Sequence, residues 1–357
     1  SKISYEFIHY SLHDISHSIS ILQYIYLLLG KDKIDELSVG DLWLLLESSY
    51  SHDIGMFVTY NELVDVWSDT KQINKIIKKL SLVSDSEVID VFNYIKTKID
   101  NTNDYTDEDF LTNHQTWPIE LKKAISYIQS EYIRQYHPER SKMILIEMLK
   151  KYTDIKIENR LYNIVGTINH LHGLPFEEIK SQLPKKSLGF ATDLIHPRLI
   201  AMLLRVGDAL DIRNNRFDYW NIQYLGGLPK DSYQHYEKHR SVSEFLVDCH
   251  EVKIYIKSDD FNVCRTSRQW LDIIDKELNY MIRYWNSFAP EEIRGLYFDK
   301  IDLKVAYNNQ SFVLDNFEYR LKTEPYKLMS LLTGKNIYKT KLVVFREYLQ
   351  NAIDATK

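Results

Sequence analysis

Apolar residues recur at the spacing of helices through the first half of the chain. Between residues 11 and 30 they return every three or four positions until Gly30, so we predict a helix that ends there. The stretch 39–49 is more strongly apolar and predicts a second helix, buried in the core. Two further helices are predicted over 118–152 and 196–213, which makes this part of the chain mainly helical.

Proline and glycine residues divide the middle of the chain. Pro138 falls inside the predicted helix 118–152. Because proline lacks an N–H and its ring crowds the preceding turn, we expect the helix to end or kink just after His137. A later apolar helix reaches His172 and is closed by Gly173.

After about residue 216 the pattern changes from helical spacing to alternation. The segment that starts at Phe245 and the segment 251–257 alternate and are rich in β-branched side chains, so we predict strands there. Residues 267–288 return to helical spacing, and residues 297–307 alternate again. The predicted fold class is therefore mainly α, with a helical bundle followed by a smaller α/β segment.

Composition and charge place the chain among soluble globular proteins. Of its 357 residues 44% are apolar and 27% are charged, and the net charge is −5, which suits two or three domains. Nucleic acid is not expected as a partner because there is no overall basic field, although a local basic patch stays open. The two cysteines form neither a disulfide framework nor a Cys-based zinc site. The longest apolar run, 19–29, is too short to span a bilayer, so we predict a cytoplasmic protein with no membrane partner.

Histidine and aspartate residues fall in or at the end of several predicted helices. The pair His52-Asp53 follows the buried helix, where an unpaired carboxylate is costly, and Asp208 interrupts the apolar face of the helix 196–213. A carboxylate in such a position needs a partner. A divalent cation that the carboxylate shares with neutral imidazoles can be that partner. The candidate residues are His17, His52, Asp53, His137, His172 and Asp208.

Other polar residues in the chain have simpler interpretations. His235 and His239 lie four apart with tyrosine and lysine between them, so we predict a solvated helix face there rather than a zinc pair. Asp211 is expected only to cap its helix or to pair with a nearby arginine. At the end of the middle helix, His170 could replace His172 as the functional histidine.

In its order along the chain, the candidate set resembles that of the HD superfamily of metal-dependent phosphohydrolases. The first histidine stands in HDISHSISIL, the His-Asp pair in YSHDIGM and the last aspartate in LLRVGDALD, and the resemblance covers roughly residues 5–215. It implies a helical bundle that binds one or two divalent metal ions, chosen from Mn, Mg, Fe, Co, Ni and Zn. The metal ligands that it implies are His17, His52, Asp53 and Asp208.

The resemblance leaves two roles open for the remaining histidines. His137 and His172 match the positions where two-metal members have extra ligands, and Asp53 then bridges the two ions. In one-metal nucleotide hydrolases, histidines in this region instead face the phosphates as acid catalysts. His137 and His172 are therefore predicted as catalytic residues in either role. Arg134 and Arg140 flank His137 and are predicted to bind substrate phosphate, since a guanidinium suits bidentate contact with an oxyanion.

A second resemblance lies near the C-terminus. The sequence LTGKNIYKTKLVVFREYLQNAIDA resembles the first conserved helix of GHKL ATPases, the group of gyrase, MutL and heat-shock chaperones. By this resemblance Glu347 is a catalytic residue that orients the attacking water, and Asn351 is a ligand of the Mg in bound Mg-ATP. The second, glycine-bearing nucleotide motif of that group does not follow in this sequence.

These patterns predict three parts of the chain. They are an HD phosphohydrolase domain over 1–216, a small α/β segment over 217–310, and the N-terminal part of a GHKL-type ATPase domain over 311–357. The leading hypothesis is hydrolysis of nucleotides, with deoxynucleoside triphosphates as one candidate, regulated by the ATPase-like module, for example in anti-phage defence. The alternatives are a non-catalytic sensor of nucleotide or metal and a chaperone-like ATPase with an HD regulatory domain. The sequence leaves a homo-oligomer open.

Overall fold

A computed structural model gives the fold of most of the chain. It describes residues 15–59, 69–81, 119–151, 157–212, 230–308 and 310–311, with single residues between 62 and 95. All of the described residues belong to one compact unit, which lies within residues 1–312.

The described part is mainly helical with a small sheet, which confirms the predicted fold class. Its helices are α1 (Ile15–Asp35), α2 (Val39–Ser51), α3 (Thr70–Ser81), α4 (Ile119–Lys151), α5 (Asn159–Leu171), α6 (Glu178–Gln182), α7 (Pro197–Leu210), α8 (Lys230–Arg240) and α9 (Phe261–Phe288). Short 3₁₀ turns cover Ile54–Met56 and Glu291–Ile293. The strands are β1 (Ser187–Leu188), β2 (Leu194–Ile195), β3 (Val242–Val247), β4 (Glu251–Ser258), β5 (Lys300–Tyr307) and β6 (Gln310–Ser311). Among the described helices, none combines the length and apolar character needed to cross a bilayer.

The core of this unit is built around α7. Every residue from Leu199 to Leu204 is buried, as expected of a helix whose sequence is apolar on most sides. α7 packs against α1, α2, α5 and α9. Three of the helices that carry candidate residues, α1, α2 and α5, therefore pack against α7, whose last turns carry Asp208, and α4 packs against α5.

Four strands form a mixed sheet in the order β3-β4-β5-β6. β3 and β4 pair antiparallel, whereas β4 and β5 pair parallel along the whole of β5. A parallel pair needs a long crossover connection, and α9 lies within it. Val252, Ile254 and Ile256 of β4 are fully buried and belong to the same apolar cluster as the helices. The helical part and the α/β segment thus share one core.

A second, smaller apolar cluster lies beside the turn that follows α2. It joins Met56 and Val58 to Ile73 of α3 and to Ile128 and Ile133 of α4. Burial of these side chains fixes the turn after the His-Asp pair against α4, because apolar area removed from water stabilises the contact.

α4 runs through Pro138 without ending, so of the two outcomes expected just after His137, a helix end and a kink, the helix end is wrong and the kink stays a prediction. The helix continues to Lys151. A proline inside a helix costs about 3 kcal/mol, so packing around α4 must offset it. Ile133 and Ser141, on either side of Pro138, are both fully buried. Other parts of the protein therefore pack against this section of α4.

α8 is also more buried than its sequence indicates. His235 is exposed, as predicted, but His239 is only 5% exposed, so the prediction of a solvated face is wrong for His239. The neighbouring Lys238 is 1% exposed, and its Nζ lies 3.5 Å from the centre of the Trp270 ring of α9. A lysine stem can cover apolar surface while its charge meets an aromatic face, so a charged sequence can still form a docked helix.

Candidate metal centre

The six candidate side chains meet at one point in the fold. Five separate helices bring them there, and their ligand atoms form two groups of three. Within each group these atoms lie within 4.8 Å of one another. The first group is His17 from α1, His52 from the end of α2 and Asp208 from α7; the second is Asp53, His137 from α4 and His172 from the end of α5.

The local sequence explains why the His-Asp pair projects from a helix end. α2 begins at the N-cap Ser38, whose hydroxyl accepts a hydrogen bond from the N–H of Asp41. The helix ends at His52, and Asp53 has φ −101° and ψ 9°, which takes the backbone out of the helix. The side chains of His52 and Asp53 therefore project from a buried helix terminus rather than from the face of a helix.

Gly55 lets this turn lie directly on α4. A Cβ at position 55 would lie 2.2 Å from the carbonyl oxygen of His137 and 2.7 Å from the amide nitrogen of Ser141. The hydroxyl of Ser141 donates to the carbonyl of His52 at 2.5 Å and accepts from the N–H of Gly55 at 2.9 Å. The His-Asp turn is thus hydrogen-bonded to the helix that carries His137.

The carboxylate of Asp53 lies between the two groups. Its Oδ2 is 3.4 Å from Nε2 of His17 and 3.2 Å from Nε2 of His52. Its Oδ1 is 3.3 Å from Nε2 of His137 and 3.7 Å from Nε2 of His172. Each oxygen therefore faces one group, which is the arrangement of a carboxylate that bridges two cations.

Each of the four histidines has a fixed orientation because its Nδ1 atom is hydrogen-bonded away from the centre. Nδ1 lies 3.1 Å from the Ser49 carbonyl in His52, 2.7 Å from the Arg134 carbonyl in His137 and 2.5 Å from the Asn169 carbonyl in His172. A carbonyl can only accept, so in these three Nδ1 carries the proton and Nε2 presents a lone pair. In His17 the partner of Nδ1 is the Asp211 carboxylate, at 2.7 Å.

The donor atoms fit divalent cations better than they fit one another. Nε2 of His137 lies 2.9 Å from Nε2 of His172, and with Nδ1 protonated both atoms are acceptors. Two acceptors approach so closely only if a cation or a proton lies between them. Nε2 of His52 is buried with no hydrogen-bond partner among the described residues. Imidazole and carboxylate donors of this kind suit Mn, Fe, Co, Ni and Zn.

The electrostatics of the site keep most of its ligands in their metal-binding forms. Burial, together with the charges of His52 and His137, lowers the pKa of His172 to about 3, so this imidazole stays neutral. Burial alone would raise the pKa of Asp208, but His17 outweighs it and lowers that pKa. Burial also opposes protonation of His137, yet the hydrogen bond and charge of Asp53 raise its pKa. Of the two imidazoles in the second group, His137 is therefore the one whose electrostatic surroundings favour protonation more.

Asp211 contacts the candidate centre in a way that sequence reasoning missed. We expected it only to cap its helix or pair with an arginine, but its carboxylate is 1% exposed and bonds to His17. A carboxylate behind a metal-binding imidazole fixes the tautomer and strengthens the ligand. A signal was present, because Asp208 and Asp211 lie three apart and so share one side of the end of α7.

The end of α5, which carries His172, is held by Arg205 of α7. Its Nη1 donates to the carbonyls of Leu171, His172 and Leu174 at 2.9, 3.0 and 2.6 Å. Its Nε and Nη2 form a bidentate pair with the buried Glu277 of α9. These carbonyls include the last ones of α5, which have no donor within the helix, so Arg205 replaces the missing donors and fixes the position of His172.

The two arginines predicted to bind phosphate have protein partners in this structure. Nε of Arg140 donates to the Gly55 carbonyl at 3.0 Å, and Nη2 donates to the Phe57 carbonyl and to Glu62. Arg140 therefore has a structural role in closing the turn after Asp53. Arg134 is half exposed and pairs with Glu131. Contact of either arginine with substrate stays a prediction.

Of the remaining predicted site residues, the structure describes His170 but not the two residues predicted for an ATP site. His170 belongs to neither group, and its Nδ1 lies 2.9 Å from Glu139, so His172 is the member of the cluster. Glu347 and Asn351, predicted for an ATP site, lie outside the described residues.

One comparison with known proteins gave a match. A scan against models of protein families matches residues 7–280 to the model described as HD-CE. The matched range includes all six residues of the centre, β3, β4 and most of α9, and it ends before the GHKL-like motif. Neither the curated proteins nor the solved structures gave a match.

Proposed function

This chain belongs to the HD-CE family, an HD-type family, and from that premise we propose that it is a metal-dependent phosphohydrolase that acts on nucleotides. The observation that carries the proposal is the position of Asp53. Its two carboxylate oxygens face two separate groups of ligand atoms, at 3.2 to 3.7 Å from four imidazole nitrogens.

The residues of the centre would then divide between two cations. His17, His52 and Asp208, with Oδ2 of Asp53, would hold one divalent cation, and the second group would hold another through Oδ1 of Asp53. When bound, a divalent cation lowers the pKa of a coordinated water and neutralises charge that develops on a phosphate. The chain itself supplies a largely buried set of donors whose imidazole rings are oriented by hydrogen bonds at Nδ1.

The electrostatics favour a ligand role over an acid role for His172. An acid catalyst must carry a proton near neutral pH, whereas burial and two neighbouring histidines lower the pKa of His172 to about 3. His137 differs, because Asp53 raises its pKa. We therefore assign His172 as a ligand, and His137, whose Nε2 also faces Asp53, as a second ligand in surroundings that favour protonation more.

The nucleotide class is proposed from the superfamily resemblance, with deoxynucleoside triphosphates as the first candidates and nucleoside monophosphates and cyclic nucleotides as further ones. Arg134 is the arginine better placed to meet a phosphate, because its side chain is 50% exposed. Arg140 already donates to Gly55, Phe57 and Glu62, so a phosphate would have to compete with those partners.

Regulation by ATP is proposed from the C-terminal sequence alone. Glu347 and Asn351 stand at the spacing of the water-orienting Glu and the Mg ligand of GHKL ATPases. A hydrolase joined to such a module would respond to nucleotide level, and anti-phage defence is one setting that would use this response. That step is an analogy with domain combinations and does not follow from the geometry of the metal centre.

The test is turnover of a nucleotide panel by protein loaded with Mn, Co or Mg. We expect the wild-type protein to release phosphate, pyrophosphate or triphosphate from at least one panel member. A His52→Ala variant should release none, because it loses a donor of the first group. A His250→Ala variant is the matched control, since His250 is an exposed histidine whose ring pairs with Asp299.

Two results would count against the proposal. One is release by His52→Ala at the wild-type rate, which would place the chemistry elsewhere. The other is nucleotide binding by calorimetry without turnover of any panel member, which would support the non-catalytic sensor instead.

A further inference from the structure

Pro138 stands at an unusual place, in the middle of α4 and next to His137. It is buried, and the helix continues on both sides of it. In a regular α-helix the N–H of residue 138 would donate to the carbonyl of Arg134. Because proline has no N–H, that carbonyl lacks its helical donor.

The imidazole of His137 occupies the position of the missing donor. Its Nδ1 lies 2.7 Å from the carbonyl oxygen of Arg134. The proline thus leaves a free acceptor, the Arg134 carbonyl, which fixes the ring of His137, favours the tautomer with its proton on Nδ1 and leaves Nε2 facing Asp53.

The other two histidines that bond to carbonyls find the same kind of acceptor at helix ends. His52 bonds to Ser49 and His172 to Asn169, in each case three residues before the histidine. Both carbonyls lie in the last turn of a helix, where four carbonyls have no donor within the helix. His137 is inside a helix, where such acceptors are normally occupied, and Pro138 supplies one there.

We infer that Pro138 is a positioning residue: it frees the Arg134 carbonyl so that His137 is held as the Nδ1-protonated tautomer with Nε2 directed at Asp53. The metal-binding part of this inference rests on the proposed function, whereas the tautomer of His137 is a property of the metal-free protein.

Pro138 has a second contact that the experiment must separate from the first. A Cβ at Gly173 would lie 2.4 Å from Cγ of Pro138, so the proline ring packs closely on the turn after His172. A purely structural role for Pro138 would act through this contact and not through His137.

The experiment replaces the proline, Pro138→Ala, which restores the backbone N–H. We expect this N–H to compete with His137 for the Arg134 carbonyl. In metal-free protein with ¹⁵N-labelled histidine at alkaline pH, wild type should show His137 protonated at Nδ1, and the variant should show a mixture of tautomers. The His137→Ala variant assigns the signal. Helical content by circular dichroism should be unchanged or higher, because alanine favours a helix interior.

The metal readout uses a double-mutant cycle. Pro138→Ala should weaken binding of the second Mn or Co ion by about 10–100-fold, the usual effect of losing a partner that orients a ligand. In a His137→Ala background the same substitution should change affinity by less than about twofold. Pro290→Ala, a buried proline remote from the centre in sequence, is the control and should change neither readout.

Three results would overturn the inference. They are an unchanged His137 tautomer in Pro138→Ala, a loss of helical content in that variant, and an equal loss of metal affinity with and without His137, which would assign the effect to Gly173. If wild type binds no metal, the proposed function fails, but the tautomer measurement still decides the role of Pro138.

Discussion

Replacing Asp53 by alanine is expected to lower kcat by at least about 10³-fold and to remove at least one of two bound metal ions. The two oxygens of this carboxylate face the two sets of ligands, so its loss disturbs both. Metal ions supply several kcal/mol of transition-state stabilisation, and a loss of about 4 kcal/mol corresponds to about 10³-fold in rate. Steady-state kinetics and elemental analysis of the purified variant measure the two effects.

The control for this substitution is Asp299→Ala, which removes an exposed carboxylate that pairs with His250. It should keep wild-type activity and metal content. An Asp53→Ala protein that is folded, retains two metal ions and turns over within tenfold of wild type would contradict the bridging role.

Replacing Arg205 by methionine is expected to lower the free energy of unfolding of the metal-free protein by about 3–5 kcal/mol. The substitution leaves Glu277, which is 5% exposed, as a buried charge without its bidentate partner. It also removes the donor for three carbonyls at and after the end of α5. Urea denaturation followed by circular dichroism measures the change.

Two variants make the Arg205 result specific. Arg294→Met removes an arginine from a surface pair with Glu291 and should change stability by no more than about 0.5 kcal/mol. The double variant Arg205→Met/Glu277→Met should recover part of the loss, because it removes the uncompensated charge. A loss below about 1 kcal/mol for Arg205→Met, or no recovery in the double variant, would contradict this role.

Most of the helices could be predicted because their pattern is local. The pattern of the stretch 39–49 predicts a buried helix, and α2 spans Val39–Ser51. The strand over 251–257 likewise corresponds to β4. Such elements follow from the spacing of apolar side chains, which is present in the sequence itself. Pro138 is the exception, since contacts from outside α4 override a strong local signal.

The composition of the centre could be proposed from sequence, but the contacts around it could not. The order of the six His and Asp residues carried the superfamily resemblance, and the structure brings all six together. His17 and Asp211 are 194 residues apart, and no local pattern indicates that they touch. The same holds for Arg140, whose bonds to the turn after Asp53 depend on how α4 meets that turn.

The burial of α8 could not be predicted from its own sequence. A lysine-rich and histidine-rich sequence normally indicates a solvated face, but Lys238 covers Trp270 and brings His239 inside with it. An amphipathic side chain such as lysine can be buried or exposed, and the element that packs against it determines which of the two occurs.

The measurement that tests the central claim most directly is anomalous diffraction from crystals of protein loaded with Mn or Co, recorded at the absorption edge of the metal. We predict two peaks about 3.5–4 Å apart, one on each side of the Asp53 carboxylate, with His17, His52 and Asp208 at the first and His137 and His172 at the second. A structure without metal at this point, or with a single ion that Asp53 does not contact, would contradict the account.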